Sequence, residues 1–182
     1  IFTEQHTLCN GDLSAFYFEI RKDRLYCDAA DSVARRATRT VMHEVFSRLT
    51  AWLAPILAFT AEEAWQSWVG DVENSVHLRR YDPVPPEWYD QSVSARWDGI
   101  RRARQVVTTA LEAARNDGAI GASLQAAPTV HVSEDIAALF EGEDAAALFI
   151  TSGATISCDA APADALSLIH ISEPTRPTPI SD

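Results

Sequence analysis

Apolar positions along the first 117 residues recur with helical spacing in three long stretches. Leu13, Phe16, Tyr17 and Ile20 fall at i, i+3, i+4 and i+7, which predicts a helix with one apolar stripe ending around Tyr26. Asp12 is suited to cap it, and a helix already running from the amino terminus fits equally well. Ser32 is a good N-cap for the second stretch, where Val33, Ala37, Val41, Val45, Leu49 and Leu53 recur every four residues until Pro55, with Trp52 widening the stripe. Thr60 with Glu63 three residues later forms a capping-box pattern, predicting a short helix that ends near Trp68 and Gly70. The connector "YDPVPPEWYD" has three prolines in four residues, which excludes a regular helix and predicts an extended segment. From Ser92, Val93, Trp97, Ile100, Val107, Leu111 and Ala114 again repeat at helical spacing, and Gly118 is placed to stop that helix in the left-handed conformation.

Beyond Gly118 the period changes. "APTVHV" alternates and is rich in β-branched residues, "SEDIAALFEG" carries a Ser cap and a Gly stop, and "ALFITS" and "ATISC" read as two short strands. The expected architecture is mainly α, a helical bundle followed by a small α+β module. At 182 residues and 47% hydrophobic, the chain can bury a core of one domain or slightly more. No apolar run reaches the ~20 residues that a membrane span needs, and "IFTEQHTLCN" lacks the basic start and apolar centre of a signal peptide, so an intracellular, cytoplasmic setting without a membrane partner is expected.

The net charge of -11 is unevenly spread. Residues 1–115 hold 14 Lys/Arg against 16 Asp/Glu, whereas residues 116–182 hold one Arg and 10 acidic residues. Salt screens a distant acidic segment over about 10 Å, so overall acidity does not cancel a local basic face. Such a face exists in the pattern: on a helix, Arg35, Arg36, Arg39 and His43 lie within a sector about 100° wide, away from the Val41/Leu49 stripe. Arg21, Lys22 and Arg24 stand at the end of the first helix beside Tyr26, a combination able to neutralise phosphate and stack an unpaired base. A solvated basic face is the plainer alternative, and Phe16, Tyr17 and Phe18 read as core packing.

Signs of catalysis are lacking. The five histidines are scattered, Cys9, Cys27 and Cys158 have no zinc or disulfide spacing, and no glycine-rich phosphate loop occurs. Glu62 and Glu63 sit where they complement a helix dipole.

Five segments, "DLSAFYFEIRKDRLYCD", "SVARRATRTV", "LAPILAFTAEEAW", "SVHLRRY" and "IGASLQA", occur in the order and spacing of the carboxy-terminal region of bacterial isoleucyl-tRNA synthetases, and the chain resembles that family over about residues 8–158. The resemblance implies a class I synthetase anticodon-binding bundle over residues 1–118 and the start of a small junction domain over 119–165. It implies tRNA(Ile) as partner, with Lys22, Arg24, Arg35, Arg36 and Arg39 as candidate tRNA contacts by analogy. The alternative is a bracing module, of this synthetase or a valyl or leucyl relative, without direct anticodon readout. The nucleotide-binding signatures, the editing domain and the cysteine pairs of the family are absent from these residues. The chain is therefore expected to be an inactive piece of a monomeric ligase, with no cofactor of its own. ATP and magnesium would belong to the missing catalytic domain, and zinc, where present, to a missing carboxy-terminal module. Finally, "LSLIHISEPTR", Leu166 to Arg176, resembles the translation of a transposase adapter used in sequencing libraries, so residues 166–182 are expected not to be native.

Overall fold

The computed structural model of the protein describes residues 2–160 and 169–172. These divide into two compact units, Ile1–Tyr89 and Asp90–Asp182.

The first unit opens with a continuous helical run: α1 (Phe2–Thr7), a π-helical stretch (Leu8–Phe18) and α2 (Glu19–Tyr26). The run from the amino terminus is thus the form adopted, and Asp12 lies inside it rather than at its start. Eleven residues is long for π-helix, which usually appears as single-turn bulges. Leu13 and Ile20 are buried while Phe16 and Tyr17 are half-buried, so the predicted stripe faces inward despite the altered winding. Helix α3 (Val33–Leu53) starts at the predicted cap, the Ser32 hydroxyl accepting from the Arg35 N–H. Its predicted apolar stripe is only partly covered: Val33 is 80% exposed and Val41 44% exposed, and the buried positions are Thr38, Thr50 and Ala51. The two threonines donate their hydroxyls to the Ala34 and Phe46 carbonyls one turn back, which satisfies both donors within the helix.

Helix α4 (Ala58–Val69) begins two residues before Thr60. Leu57 is the N-cap residue, without a side-chain cap bond, and the expected Thr60–Glu63 capping box does not form because both lie within the helix. Gly70 ends α4 at φ 66°, in the left-handed conformation predicted for a glycine stop. Ala54, Ala61, Trp65 and Val76 form one core cluster of this unit, with Phe46 and Val69 packed against it. Glu62 fastens the returning chain: its carboxylate accepts from the Ser75 hydroxyl at 2.9 Å and the Val76 N–H at 2.8 Å. The proline-rich connector is extended up to Pro85, but Pro86–Trp88 closes into one 3-10 turn, since proline at the first helical position lacks only an N–H that would be unsatisfied anyway.

In the second unit, α5 (Gln91–Asn116) starts next to Ser92 as expected and is capped by Asp90, whose Oδ1 accepts from the Ser92 and Val93 N–H groups. Ile100, Val107, Leu111 and Ala114 are buried, and Gly118 follows at φ 75° as predicted. Strand β1 (Ala127–His131), expected from its alternating pattern, pairs in parallel with β2 (Thr155–Ser157), Val130 opposite Ile156. A parallel pair needs a crossover, and here α6 (Glu134–Leu139) and α7 (Ala145–Phe149) supply it. The "ALFITS" segment is therefore not a strand. Asp144 caps α7 by accepting from the Ala147 N–H, and three successive alanines favour the helix until Ile150 turns left-handed at φ 57°. Two arginines of α5 secure the crossover: Arg96 Nε donates to the Leu139 carbonyl and Arg104 Nε to the Leu148 carbonyl, both at 2.8 Å. Phe140 and Phe149 pack with ring centroids 5.8 Å apart. Strand β3 (Ile169–Ser172) pairs antiparallel with β1 and completes the order β2-β1-β3. It falls within the stretch read as adapter-derived, the rest of which lies outside the described residues.

Helix α5, grouped by its period with the bundle, packs in the second unit. No helix among the described residues is long and apolar enough to cross a membrane.

Candidate nucleic-acid interface

The five candidate contacts lie on α2 and α3, elements that pack against each other in the first unit. Their side chains differ in freedom. Lys22 is exposed and its Nζ stands 3.2 Å from Glu19 Oε1, one turn away. Arg24 Nη1 is 3.8 Å from Asp28 Oδ2. An exposed cation such as Lys22 gains little from its carboxylate and yields readily to a phosphate, whereas Arg24 and Asp28 are half-buried. Arg35 is half-buried and held more firmly, Nη1 donating to the Asp28 carbonyl at 2.9 Å across the turn between α2 and α3. Asp28 also accepts from the Ser32 hydroxyl at 3.0 Å, so this turn is knitted around one carboxylate and its carbonyl. Arg36 and Arg39 are exposed, and among the described residues no carboxylate pairs with either.

Several other arginines of the chain are structural. Arg48 pairs with Glu44 and lies 4.8 Å from the Trp88 ring centroid. Arg79 donates to the Ser47 carbonyl and hydroxyl and to Asp82, with its guanidinium 4.4 Å from the Trp65 ring centroid. Arg96 and Arg104, in the second unit, are committed to carbonyls of the crossover.

That face has an aromatic component that sequence reasoning missed. Trp65 and Trp68 are three residues apart on α4; Trp65 is 7% exposed and donates its indole N–H to the Asn74 carbonyl, whereas Trp68 is 57% exposed. The Trp68 ring lies 5.4 Å from His43 and 5.7 Å from Phe46. The available signal was a second tryptophan in the last turn before Gly70, beyond what one buried stripe required. Tyr26, proposed as a stacking partner for the cations of α2, is 83% exposed at the end of that helix. Phe16, Tyr17 and Phe18 are half-buried, and Tyr17 and Phe18 meet edge to face at 6.0 Å. Burial pushes the Tyr17 hydroxyl above its ordinary pKa against the opposing charge of Arg21 and a bond to Thr38, so Tyr17 stays neutral.

Among the described residues no group of three or more His, Cys, Asp or Glu could hold a metal ion. An exposed arginine row next to exposed aromatics can bind phosphate and stack bases, and it offers no general acid, base or nucleophile pair for covalent chemistry.

Residues 1–132 match the family described as the anticodon-binding domain of tRNA ligases, and the chain belongs to that family. Its relatives are narrower in name. The chain is 48% identical over 165 residues to the isoleucine-tRNA ligase of Agrobacterium fabrum, an overlap covering 90% of this chain and 17% of that protein. Identity is 49% over 154 residues with the isoleucine-tRNA ligase of Gluconobacter oxydans (85% and 16%) and 47% over 160 residues with that of Brucella abortus (87% and 16%). The resemblance to isoleucyl-tRNA synthetases drawn from the five motifs is thereby borne out. The chain spans 16% to 17% of the length of these relatives.

Proposed function

We propose that this chain is the anticodon-binding part of an isoleucine-tRNA ligase and that its α2–α3 face grips the anticodon stem-loop of tRNA(Ile). The observation that carries the reading is the pair Arg36 and Arg39: exposed, without carboxylate partners among the described residues, and on a helix that the family match covers. Planar guanidinium groups suit phosphate better than lysine does. Lys22 and Arg24 extend the same charge along α2.

In the whole ligase, attachment of isoleucine to the tRNA with ATP and magnesium falls to a catalytic domain outside this chain, and any zinc to a further carboxy-terminal module. The setting is a monomeric cytoplasmic enzyme. Residues 166–182 are read as foreign to it, and the intact gene should continue differently after about residue 165. In the ligase carrying Arg36→Gln and Arg39→Gln, tRNA charging should fall while activation of isoleucine, measured by pyrophosphate exchange, stays unchanged. Loss of isoleucine activation instead would show that these residues support the catalytic domain and would overturn the RNA reading.

One feature favours a bracing role alongside it. A cavity of about 590 Å³ between the amino-terminal run, α3 and the connector is lined by Leu8, Leu13, Val41, Val45, Trp52 and Trp88, an almost wholly apolar surface left open. Such a surface fits a protein neighbour rather than RNA.

A further inference from the structure

The sheet of the second unit has an edge to which the RNA reading gives no role. Backbone groups of successive strand residues point to opposite sides, so the bonds made on one side identify those left for the other. On the β2 side, the Val132 N–H donates to the Ser157 carbonyl at 2.9 Å and the Ala126 carbonyl accepts from the Ser152 N–H at 3.1 Å. In step with these, Pro128 and Val130 direct their backbone groups at β2, while Ala127, Thr129 and His131 direct theirs at the outer edge. Pro128, which has no N–H, thus belongs to the set facing β2 and leaves the outer edge with all its donors. Burial alternates in the same rhythm: Pro128 and Val130 are buried, whereas Ala127, Thr129 and His131 are half-buried.

The outer edge carries β3, whose sequence is Ile-His-Ile-Ser. Ile169 stands opposite Val130 and Ile171 opposite Pro128, with His170 opposite Thr129 and Ser172 opposite Ala127. A segment read as adapter-derived was never selected for this sheet, yet its apolar positions fall opposite the buried residues of β1 and its polar positions opposite the half-buried ones. We propose that the outer edge of β1 is a strand-acceptor site, and that Ile169–Ser172 occupies it as a surrogate for an antiparallel strand of the ligase's own continuation after about residue 165. The inference rests on the reading of the chain as part of a ligase with residues 166–182 foreign to it, and is independent of the RNA face.

Topology favours an occupant from the same chain over a separate one. Strand β2 ends with Ser157 beside His131, and β3 begins with Ile169 beside Val130, so the chain leaves one edge and joins the other at the same end of β1. Whatever follows β2 is delivered to the outer edge in the antiparallel direction and at high effective concentration. Burial of one face of β1 sets the register, since a slip of one residue would exchange apolar and polar positions along the strand. The native strand should therefore carry apolar residues at its first and third positions. Without it, the edge would offer unpaired N–H and C=O groups to other chains.

Amide hydrogen exchange followed by NMR tests this on four chains: the parent of 182 residues, His170→Pro, a chain with residues 166–182 replaced by a Gly-Ser repeat, and a chimera with the corresponding segment of the Agrobacterium fabrum ligase in their place. The Thr129 amide reports the outer edge and the Val132 amide the β2 edge. Thr129 should exchange about five- to hundredfold faster in His170→Pro and in the Gly-Ser chain than in the parent, the scale of one or two backbone hydrogen bonds, while Val132 stays protected. In the chimera Thr129 should exchange at least as slowly as in the parent.

If Thr129 exchanges as fast in the parent as in the Gly-Ser chain, the edge takes no strand and the proposal is overturned. If the parent protects Thr129 and the chimera does not, the surrogate assignment fails while the RNA face is untouched. Should Val132 lose protection together with Thr129 in the Gly-Ser chain, recovery of both in the chimera supports a native strand completing the sheet, and failure to recover them overturns it. Protection of Thr129 in the Gly-Ser chain that rises with protein concentration would give the edge to a second copy instead. Finding residues 166–182 encoded in the intact gene would bring down the surrogate and the foreign-tail reading together, whatever the exchange rates.

Discussion

Removing two charges from α3 should change the salt dependence of RNA binding in a way that removing a third, only one residue away, does not. Arg36 and Arg39 are exposed and lack carboxylate partners among the described residues, whereas Arg35 is half-buried and donates to the Asp28 carbonyl at 2.9 Å. Each phosphate neutralised contributes about 0.7 to 0.9 to the slope of log K against log salt through counterion release. Arg36→Gln with Arg39→Gln should therefore flatten the slope by about 1.4 to 1.8, so that between about 50 and 200 mM salt the parent chain loses about tenfold more affinity than the double variant. Arg35→Gln should leave the slope nearly unchanged and instead lower stability by about 1 to 2 kcal/mol, the scale of a partly exposed charged hydrogen bond. Fluorescence anisotropy of a fluorescein-labelled anticodon stem-loop hairpin of tRNA(Ile) across the salt series gives the slopes, and urea titration gives the stability. If Arg35→Gln flattens the slope as much as either neighbour, or the double variant leaves it unaltered, then exposure and pairing do not decide which arginines of α3 meet phosphate.

Two further outcomes concern the frame beneath this face. Arg79, 17% exposed at its side chain, joins Ser47 on α3 to Asp82 and covers Trp65, so Arg79→Ala should lower stability by about 2 to 4 kcal/mol in urea titration, and Arg79→Lys should recover only part because an ammonium cannot serve that fork. Glu62 is held below its ordinary pKa of 4.5 by bonds from the Gln66 side chain, the Val76 N–H and the Ser75 hydroxyl. The unfolded chain thus takes up the proton first: the contribution of Glu62 is complete above about pH 4.5, declines as pH falls through the lower folded value, and should be absent from the acid limb of Glu62→Gln in a pH series of urea midpoints.

Much of this frame was readable from residue spacing. The Ser32 cap, the glycine stops at Gly70 and Gly118, and the strands at Ala127–His131 and Thr155–Ser157 are local signals, each fixed by hydrogen bonding or backbone conformation within a few residues. What period alone could not give was the competition between neighbouring signals. Asp90 caps α5 because its carboxylate reaches two N–H groups, and Leu57 opens α4 ahead of Thr60. In "ALFITS", β-branched residues suggested a strand, but the Asp144 cap upstream had already committed the segment to helix. The turn between α2 and α3 likewise decides, through the Asp28 carbonyl, that a cation predicted for RNA also has a structural role.

The same limit governs the binding face. A helical projection places Arg35, Arg36, Arg39 and His43 in one sector, yet it treats them as equivalent, and the turn at Asp28 and the ring of Trp68 make them unequal. Arg35 ties α3 to the preceding turn, Arg36 and Arg39 are exposed without a carboxylate partner among the described residues, and His43 supports an exposed tryptophan contributed by α4. Four residues read as one charged stripe are thus divided between anchoring the scaffold and facing solvent. The division depends on Trp68 and Asp28, neither of which belongs to the helix that carries the stripe. Charge and period together locate a basic face; which of its cations stay available is decided by contacts with neighbouring elements, and a sequence pattern confined to one helix cannot express those.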